Sequence, residues 1–105
     1  MPKRYYWLKL KEDFFDREEI RIIEQMENGK DYIIFYLKLL LKSIKTDGIL
    51  RFKDILPYNP KMLSVITDTN IDIVRSAIDL FTHFGMMEKW DDGTLFMVET
   101  VSMIG

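Results

Sequence analysis

The sequence contains no cysteine, one histidine, five glycines and three prolines among 105 residues. The absence of cysteine excludes disulfides, thiolate metal sites and a cysteine nucleophile. The single histidine, His83, has no accompanying glycine-rich phosphate loop or nucleophile elbow, so the usual sets of catalytic side chains are missing. We therefore expect a protein that is not an enzyme and that uses no cofactor.

Long hydrophobic runs are also missing. The most apolar stretch, YIIFYLKLLLKSI (32–44), is interrupted by Lys38 and Lys42, and it is shorter than the roughly 20 residues that span a bilayer. The N-terminus lacks the apolar segment of a signal peptide. A hydrophobic content of 48% excludes disorder. We expect one cytoplasmic domain, residues 1–105, that does not contact a membrane.

Charge is segregated along the chain, although the net value is only −2. Residues 1–12 and 30–45 each carry four basic side chains against one acidic one, whereas residues 13–29 carry six acidic against two basic. Residues 85–105 carry four acidic side chains against one lysine. A nucleic-acid surface would therefore have to come from the early basic segments.

The first half of the chain predicts an extended segment and two helices. Residues 4–10 alternate in polarity, which favours a short strand or an extended arm. Asp16 is predicted to cap a helix over 17–27 that ends at Asn28-Gly29. Residues 30–45 form a second helix that is apolar on nearly every side. It is interpreted as the central core helix, and one face left uncovered for self-association is compatible with that interpretation.

The second half has the order of a winged helix. A turn at 46–48 and a strand over 49–53 precede two helices, 60–67 and 71–84, which Asn59 and Asn70 are predicted to cap. Two helices separated by a three-residue turn match the helix-turn-helix pattern. We predict an α+β, mainly α fold: a winged helix-turn-helix with an extra N-terminal strand and helix.

A β-hairpin over 86–99 supplies the predicted wing. Asp91, Asp92 and Gly93 lie between its two apolar strands. Aspartate followed by glycine is the typical turn of a hairpin. We therefore interpret the two aspartates as turn formers and expect no metal site.

The predicted recognition helix is poorly suited to duplex DNA. Its outward face holds Arg75, Ser76 and Asp79 and carries one arginine against two aspartates. Affinity for duplex DNA comes mainly from lysine and arginine side chains that neutralise phosphates. The alternative is a transcription regulator that reads an operator as a dimer, through Arg75, Ser76, Asp79 and Lys61.

Basic and aromatic residues interleave at the N-terminus, where Tyr5, Tyr6 and Trp7 stand among lysines and an arginine. Such surfaces can clamp single strands, but the simpler interpretation, which we favour, is that the aromatics are core strand residues with solvated lysines beside them. Lys53 and Lys61 belong to a looser basic set. The candidate nucleic-acid-binding residues are Lys53, Lys61, Arg75, Ser76, Lys3, Arg4, Lys9 and Lys11.

Three stretches carry a family resemblance: YYWLKLKEDFFDREEIRIIEQMENG (5–29), YIIFYLKLLLKSIKTDGILRF (32–52) and VRSAIDLFTHFGMME (74–88). They resemble the N-terminal domain of phage replisome organisers from low-GC Gram-positive bacteria and their prophages. That family is similar to the N-terminal winged-helix domains of DnaD-type primosomal proteins. The resemblance implies that the chain helps to start phage DNA replication in the bacterial host cell, as the N-terminal module of a longer protein.

The resemblance also implies which part of the full-length protein self-assembles and which part binds DNA. In DnaD-type relatives the N-terminal domain carries much of the self-assembly, whereas DNA affinity lies largely in C-terminal parts. We therefore expect a homodimer or higher assembly that contacts replication-initiation and helicase-loading proteins and binds DNA weakly at most. The predicted assembly face combines parts of the 30–45 helix with Tyr5, Tyr6, Trp7, Leu8, Phe14 and Phe15.

Overall fold

The computed structural model describes residues 5–104 and confirms a mainly α, α+β fold with a winged-helix arrangement. Within these residues the helices are α1 (Glu18–Glu24), α2 (Gly29–Lys42), α3 (Pro60–Thr67), α4 (Ile71–His83) and α5 (Thr100–Met103). The strands are β1 (Ile49–Phe52), β2 (Leu56–Pro57), β3 (Met87–Lys89) and β4 (Leu95–Met97). Short 3-10 turns cover Phe14–Asp16 and Ile44–Thr46. The candidates Lys3 and Arg4 lie outside the described residues.

One antiparallel sheet has the strand order β2-β1-β4-β3. The predicted wing is the β3–β4 hairpin, in which Glu88 pairs with Phe96. On the other side of β4, Leu50 of β1 pairs with Leu95. The sheet therefore joins the wing to the chain segment that precedes the helix-turn-helix.

The helix-turn-helix forms as predicted because its start signals are local. The Asn59 side chain accepts a 2.8 Å hydrogen bond from the backbone N–H of Met62, and Pro60 occupies the first turn of α3. The Asn70 side chain accepts a 2.8 Å bond from the N–H of Asp72 in the same way. Each bond satisfies a donor that a helix start leaves unpaired.

Helix α2 lies in the core, and α1, α3 and α4 all contact it. Phe35 and Tyr36 are fully buried, and Phe81 of α4 packs against both rings. Among its large apolar side chains, Ile34 and Leu41 remain exposed. The core interpretation of this helix therefore accounts for most of its apolar surface.

The start of α1 differs from the prediction. Asp16 does not cap the helix: it lies in the 3-10 turn, and Arg17 holds the N-cap position without a side-chain capping bond. The neighbouring Phe14 is only 2% exposed and belongs to the hydrophobic core. Burial of this ring fixes the preceding turn, so tertiary packing overrides the local capping preference.

Gly29 also has a different role from the predicted one. It is the first residue of α2, whereas α1 has already ended at Glu24. A Cβ atom on Gly29 would overlap the carbonyl oxygen of Ile23 and would come within 2.7 Å of that of Glu24. The sequence therefore needs glycine here so that the start of α2 can lie against the last turn of α1.

The two ends of the described chain lie side by side. The extended N-terminal segment is joined to the C-terminal one by a single bridge pair, Leu8 with Ile104, and by a hydrogen bond from the N–H of Lys9 to the carbonyl of Met103. The predicted extra strand is thus an extended arm with one bridge. Its partner, Ile104, directly follows the short closing helix α5, which was not predicted from the sequence.

Two glycine substitutions distinguish a loss of stability caused by steric overlap from one caused by backbone conformation. Gly29→Ala is expected to lower the free energy of unfolding by about 2–3 kcal/mol, because the new methyl group collides with backbone atoms that have little freedom to move. Gly85 has a φ of +74°, and a methyl group added there would meet no atom within 4 Å, so Gly85→Ala carries only the conformational penalty of roughly 1 kcal/mol. Urea unfolding of both variants measures the difference. Equal losses would contradict the close approach of α1 and α2.

Candidate interaction surfaces

The outward face of α4 is exposed but acidic. Arg75, Ser76 and Asp79 all lie on the surface, as predicted. Asp72 and Asp79 stand one turn to either side of Arg75, since residues three and four apart are neighbours on a helix. The arginine is therefore flanked by negative charge on the face that would enter a DNA groove.

The wing is less acidic than its sequence indicates. Glu99 pairs with Arg17, and Asp92 lies 3.1 Å from the guanidinium of Arg51. The Asp92 side chain also accepts a bond from the N–H of Thr94, and this bond is the main reason that the pKa of Asp92 is lowered. Two of the four wing carboxylates are thus paired with arginines from outside the wing, although Arg17 also pairs with Glu19 and Arg51 also lies near Asp54.

A clasp of three side chains joins distant parts of the chain. The guanidinium of Arg17 donates two hydrogen bonds of 2.6 Å to the two carboxylate oxygens of Glu99. The Tyr36 hydroxyl donates a third bond, of 2.9 Å, to the same carboxylate. Paired donors on one carboxylate fix both its position and its orientation. The clasp therefore ties α1, α2 and the end of the wing together.

Protonation states reinforce the clasp. Burial, followed by the charge of Glu99, raises the pKa of Tyr36, so its hydroxyl stays a donor. The hydrogen bond to Glu99 raises the pKa of Arg17. This cluster was not predicted from the sequence. The available signal was a tyrosine within an apolar core helix, since a buried tyrosine hydroxyl needs a partner.

The aromatic arm, defined as Tyr5, Tyr6 and Trp7, lies on the surface. These side chains are 75%, 48% and 61% exposed. Tyr5 and Tyr6 line a shallow surface together with Leu41, Lys42, Ile44 and Lys45 from the end of α2 and the turn that follows it. The Lys45 ammonium lies 5.2 Å from the centre of the Tyr6 ring, within the range of a cation–π contact.

The six residues of the predicted assembly face do not form one surface. Phe14 is buried and packs against Phe15 and Tyr36, with ring centres 5.0 and 6.4 Å away. Leu8 is half-buried against the core. Only the aromatic arm and Phe15 are exposed. Phe14 is consequently unavailable to another chain while the domain is folded, because its ring completes the domain's own core.

A second apolar surface lies on α3. The α3 groove is an open depression of about 350 Å³, lined by Phe52, Tyr58, Asn59, Lys61, Met62, Val65 and Ile66. Val65 is 72% exposed. Lys53 lies at the edge of this surface, with its ammonium 5.5 Å from the centre of the Phe52 ring. The predicted DNA-binding residues Lys53 and Lys61 thus border an apolar surface.

The described residues contain neither a metal-binding cluster nor a membrane-spanning helix. Within residues 5–104, no group of three or more histidine, aspartate or glutamate side chains is placed to hold a metal ion. Among the same residues, no helix combines the length and the apolar character needed to cross a bilayer.

Comparison with known proteins decides the family. The protein-family model described as "N-terminal phage replisome organiser" matches residues 7–105. The chain belongs to this family. No curated protein and no solved structure matches it. The resemblance seen in the sequence is therefore confirmed, and membership connects this replisome organiser domain with phage DNA replication.

The family match covers every helix and strand of the described structure. The clasp, the α3 groove and both wing strands of the replisome organiser domain lie inside the matched residues, whereas Tyr5 and Tyr6 precede them. The clasp and groove are thus in the part of the chain that defines the family.

Removal of the clasp arginine tests its structural role. Arg17→Ala leaves the half-buried Glu99 carboxylate without its bidentate partner, and we expect the free energy of unfolding to fall by about 1–3 kcal/mol. Arg21→Ala, which removes an exposed arginine from the same helix, is the matched control and should change stability by less than about 0.5 kcal/mol. Chemical denaturation at neutral pH gives both values. Similar losses in the two variants would show that the clasp contributes nothing specific.

Proposed function

We propose that this domain is a non-enzymatic scaffold that helps to start phage DNA replication by associating with a second copy of itself through the α3 groove. Contacts with replication-initiation and helicase-loading proteins would then be made by the assembly, and DNA contact by α4 and the wing is secondary. The observation that carries the proposal is the concentration of exposed apolar side chains at this groove.

The groove has the composition of a protein-binding surface. Phe52, Val65 and Ile66 line it, and all three are exposed large hydrophobic residues. Ile55 and Leu56 add exposed apolar surface on the adjoining β1–β2 hairpin. Contiguous apolar surface of this kind is typical of interaction sites rather than of solvated surface. Burial of the exposed part of each side chain contributes a fraction of the roughly 1.5–3 kcal/mol that complete burial gives, so several of them must be covered together to offset the cost of association.

The shape of the β1–β2 hairpin favours a partner that docks through side-chain contacts. Lys53 and Asp54 both have positive φ angles, +49° and +59°, a conformation that costs non-glycine residues energy and that clusters at functional sites. The turn they form presents Ile55 to solvent. Pro57 lies in β2, the edge strand, where its missing N–H limits pairing with a further strand. We therefore favour side-chain contacts over an extended intermolecular sheet.

The helix α4 does not favour the alternative, a regulator that reads an operator. Such a helix needs basic side chains to neutralise phosphates around its specific contacts. Here Arg75 is the one basic residue among the exposed residues 72, 75, 76 and 79, and it is flanked by two aspartates. This surface is better suited to solvent or to a protein partner.

Substitution within the groove tests the assembly. Sedimentation equilibrium at about 100 µM should give the wild type the mass of a dimer or a larger species. Val65→Asp should weaken association on the order of tenfold or more, because a charge replaces buried apolar area. Val101→Asp is the matched control, since Val101 is an exposed valine on α5, 57% exposed and outside the groove, and it should leave the mass unchanged.

Two results would overturn the proposal. A wild type that sediments as a monomer at this concentration would remove self-association altogether. Equal effects of Val65→Asp and Val101→Asp on the measured mass would show that the groove is not the interface. Circular dichroism of each variant establishes that it is folded.

A further variant separates this proposal from operator reading. Arg75→Ala should change the affinity for duplex DNA at low salt by less than about twofold, because an arginine between two aspartates contributes little net attraction to phosphate. Fluorescence anisotropy with a labelled duplex measures it. A loss of tenfold or more would favour a DNA-reading role for α4.

A further inference from the structure

We infer that the aromatic arm, together with Lys42 and Lys45, is a binding site for single-stranded nucleic acid. Bases would stack on the exposed rings of Tyr5 and Trp7, and the two lysines would contact the phosphates. The site is separate from the α3 groove, with which it shares no lining residue.

The exposure of the arm is the first observation. Three consecutive aromatic side chains are left in solvent, although the same chain buries Phe14 and Tyr36 almost completely. Aromatic rings on a surface are the platforms on which unpaired bases stack, and they accept any base because every base has a flat π-face. Residues 5–7 lie outside the helices and strands, so their three rings are presented from a segment that precedes the folded elements.

The charge beside the arm is the second observation. Lys42 is the last residue of α2, and Lys45 follows in the 3-10 turn. Both side chains line the same shallow surface as Tyr5 and Tyr6. Lys38, one turn earlier, is engaged elsewhere, since its ammonium donates a 2.6 Å hydrogen bond to the carbonyl oxygen of Thr67. Lys42 and Lys45 therefore lie beside the arm, where Lys45 also contacts the Tyr6 ring, whereas Lys38 is bonded to the end of α3.

This combination favours an anionic, aromatic ligand over a second copy of the arm. A symmetric contact between two arms would bring Lys42 and Lys45 of both copies into one interface, and the four like charges would repel one another. An apolar partner would bury two ammonium groups and offer them no opposite charge. A nucleic-acid strand supplies both stacking surface and phosphate.

Duplex DNA fits the arm less well than a single strand. In a duplex the bases are already stacked on one another, and their faces are not accessible to side chains. The bases of a single strand are free to leave their neighbours and to stack on aromatic rings. The arm is therefore expected to discriminate in favour of unpaired strands.

Tryptophan fluorescence provides a direct test, because the chain contains two tryptophans that lie on different elements, Trp7 on the arm and Trp90 at the wing. Trp90→Phe leaves Trp7 as the single reporter, and Trp7→Phe leaves Trp90. Addition of oligothymidylate of about 16 nucleotides, a length that covers a typical single-strand site, should quench Trp7 and leave Trp90 unchanged. Oligouridylate of equal length shows whether the site takes DNA, RNA or both.

Fluorescence anisotropy of the labelled oligonucleotide then distinguishes the contribution of base stacking to the affinity from that of phosphate contacts. Trp7→Phe retains an aromatic ring and should bind within about threefold of the wild type, whereas Trp7→Ala should bind on the order of tenfold more weakly. Lys42→Glu/Lys45→Glu should lower affinity by at least about tenfold and should reduce the slope of log K against log salt by about 1.4, since each phosphate contact to a single strand contributes roughly 0.7. The control with the same charge change is Lys30→Glu/Lys89→Glu, whose residues are exposed and do not line the arm surface.

Each outcome of these measurements either supports or overturns the inference. Absence of Trp7 quenching by either oligonucleotide, or equal losses in the two double-glutamate variants, would overturn the inference. A Trp7 signal that changes with protein concentration and not with oligonucleotide would assign the arm to self-association instead. The inference does not depend on the scaffold proposal, because Val65→Asp should alter the mass of the protein without altering oligonucleotide binding.

Discussion

The bidentate pair between Arg17 and Glu99 is the contact on which the arrangement of the domain depends. It joins residues 82 positions apart in the sequence, and the Tyr36 hydroxyl bonds to the same carboxylate from the core helix. A helix as short as α5 does not stand alone in water. Here the pair holds its start, and a buried 2.8 Å hydrogen bond between Ser43 and Thr100 fixes it to the end of α2. The N-terminal segment then pairs with the residues at the end of α5, through Leu8 with Ile104 and Lys9 with Met103, so its position depends on the clasp.

Local signals explain which parts of the fold were predictable from the sequence. Asn59, Asn70 and the Asp-Asp-Gly turn act on neighbouring backbone atoms, and the helix-turn-helix and wing formed where they indicated. Asp16 and Gly29 carried equally clear local signals, yet their roles were decided by the burial of Phe14 and by the approach of two helices. Contacts between residues distant in the sequence outweigh capping preferences of about 1 kcal/mol, and a single sequence does not display such contacts.

The candidate surfaces were predictable to a lesser degree. The sequence identified the aromatic residues of the arm and the lysines at 53 and 61, but it did not show that Lys42 and Lys45 lie beside the arm or that Lys53 borders an apolar groove. Periodicity in α2 indicates only that nearly every side is apolar. Which few side chains stay exposed, such as Leu41, depends on where the other helices pack. The charge of the wing likewise depends on arginines that approach from α1 and β1.

The position of β1 has a mechanical consequence. This strand is hydrogen-bonded along both edges, to β2 and to β4, and Arg51 within it spans the sheet by contacting Asp92 and Thr94 at the wing tip and the carbonyl of Ile55 in the hairpin. Arg51 therefore links the wing tip to the β1–β2 hairpin, and we expect a displacement of the wing tip to be transmitted to Phe52, the next residue of β1, which lines the groove.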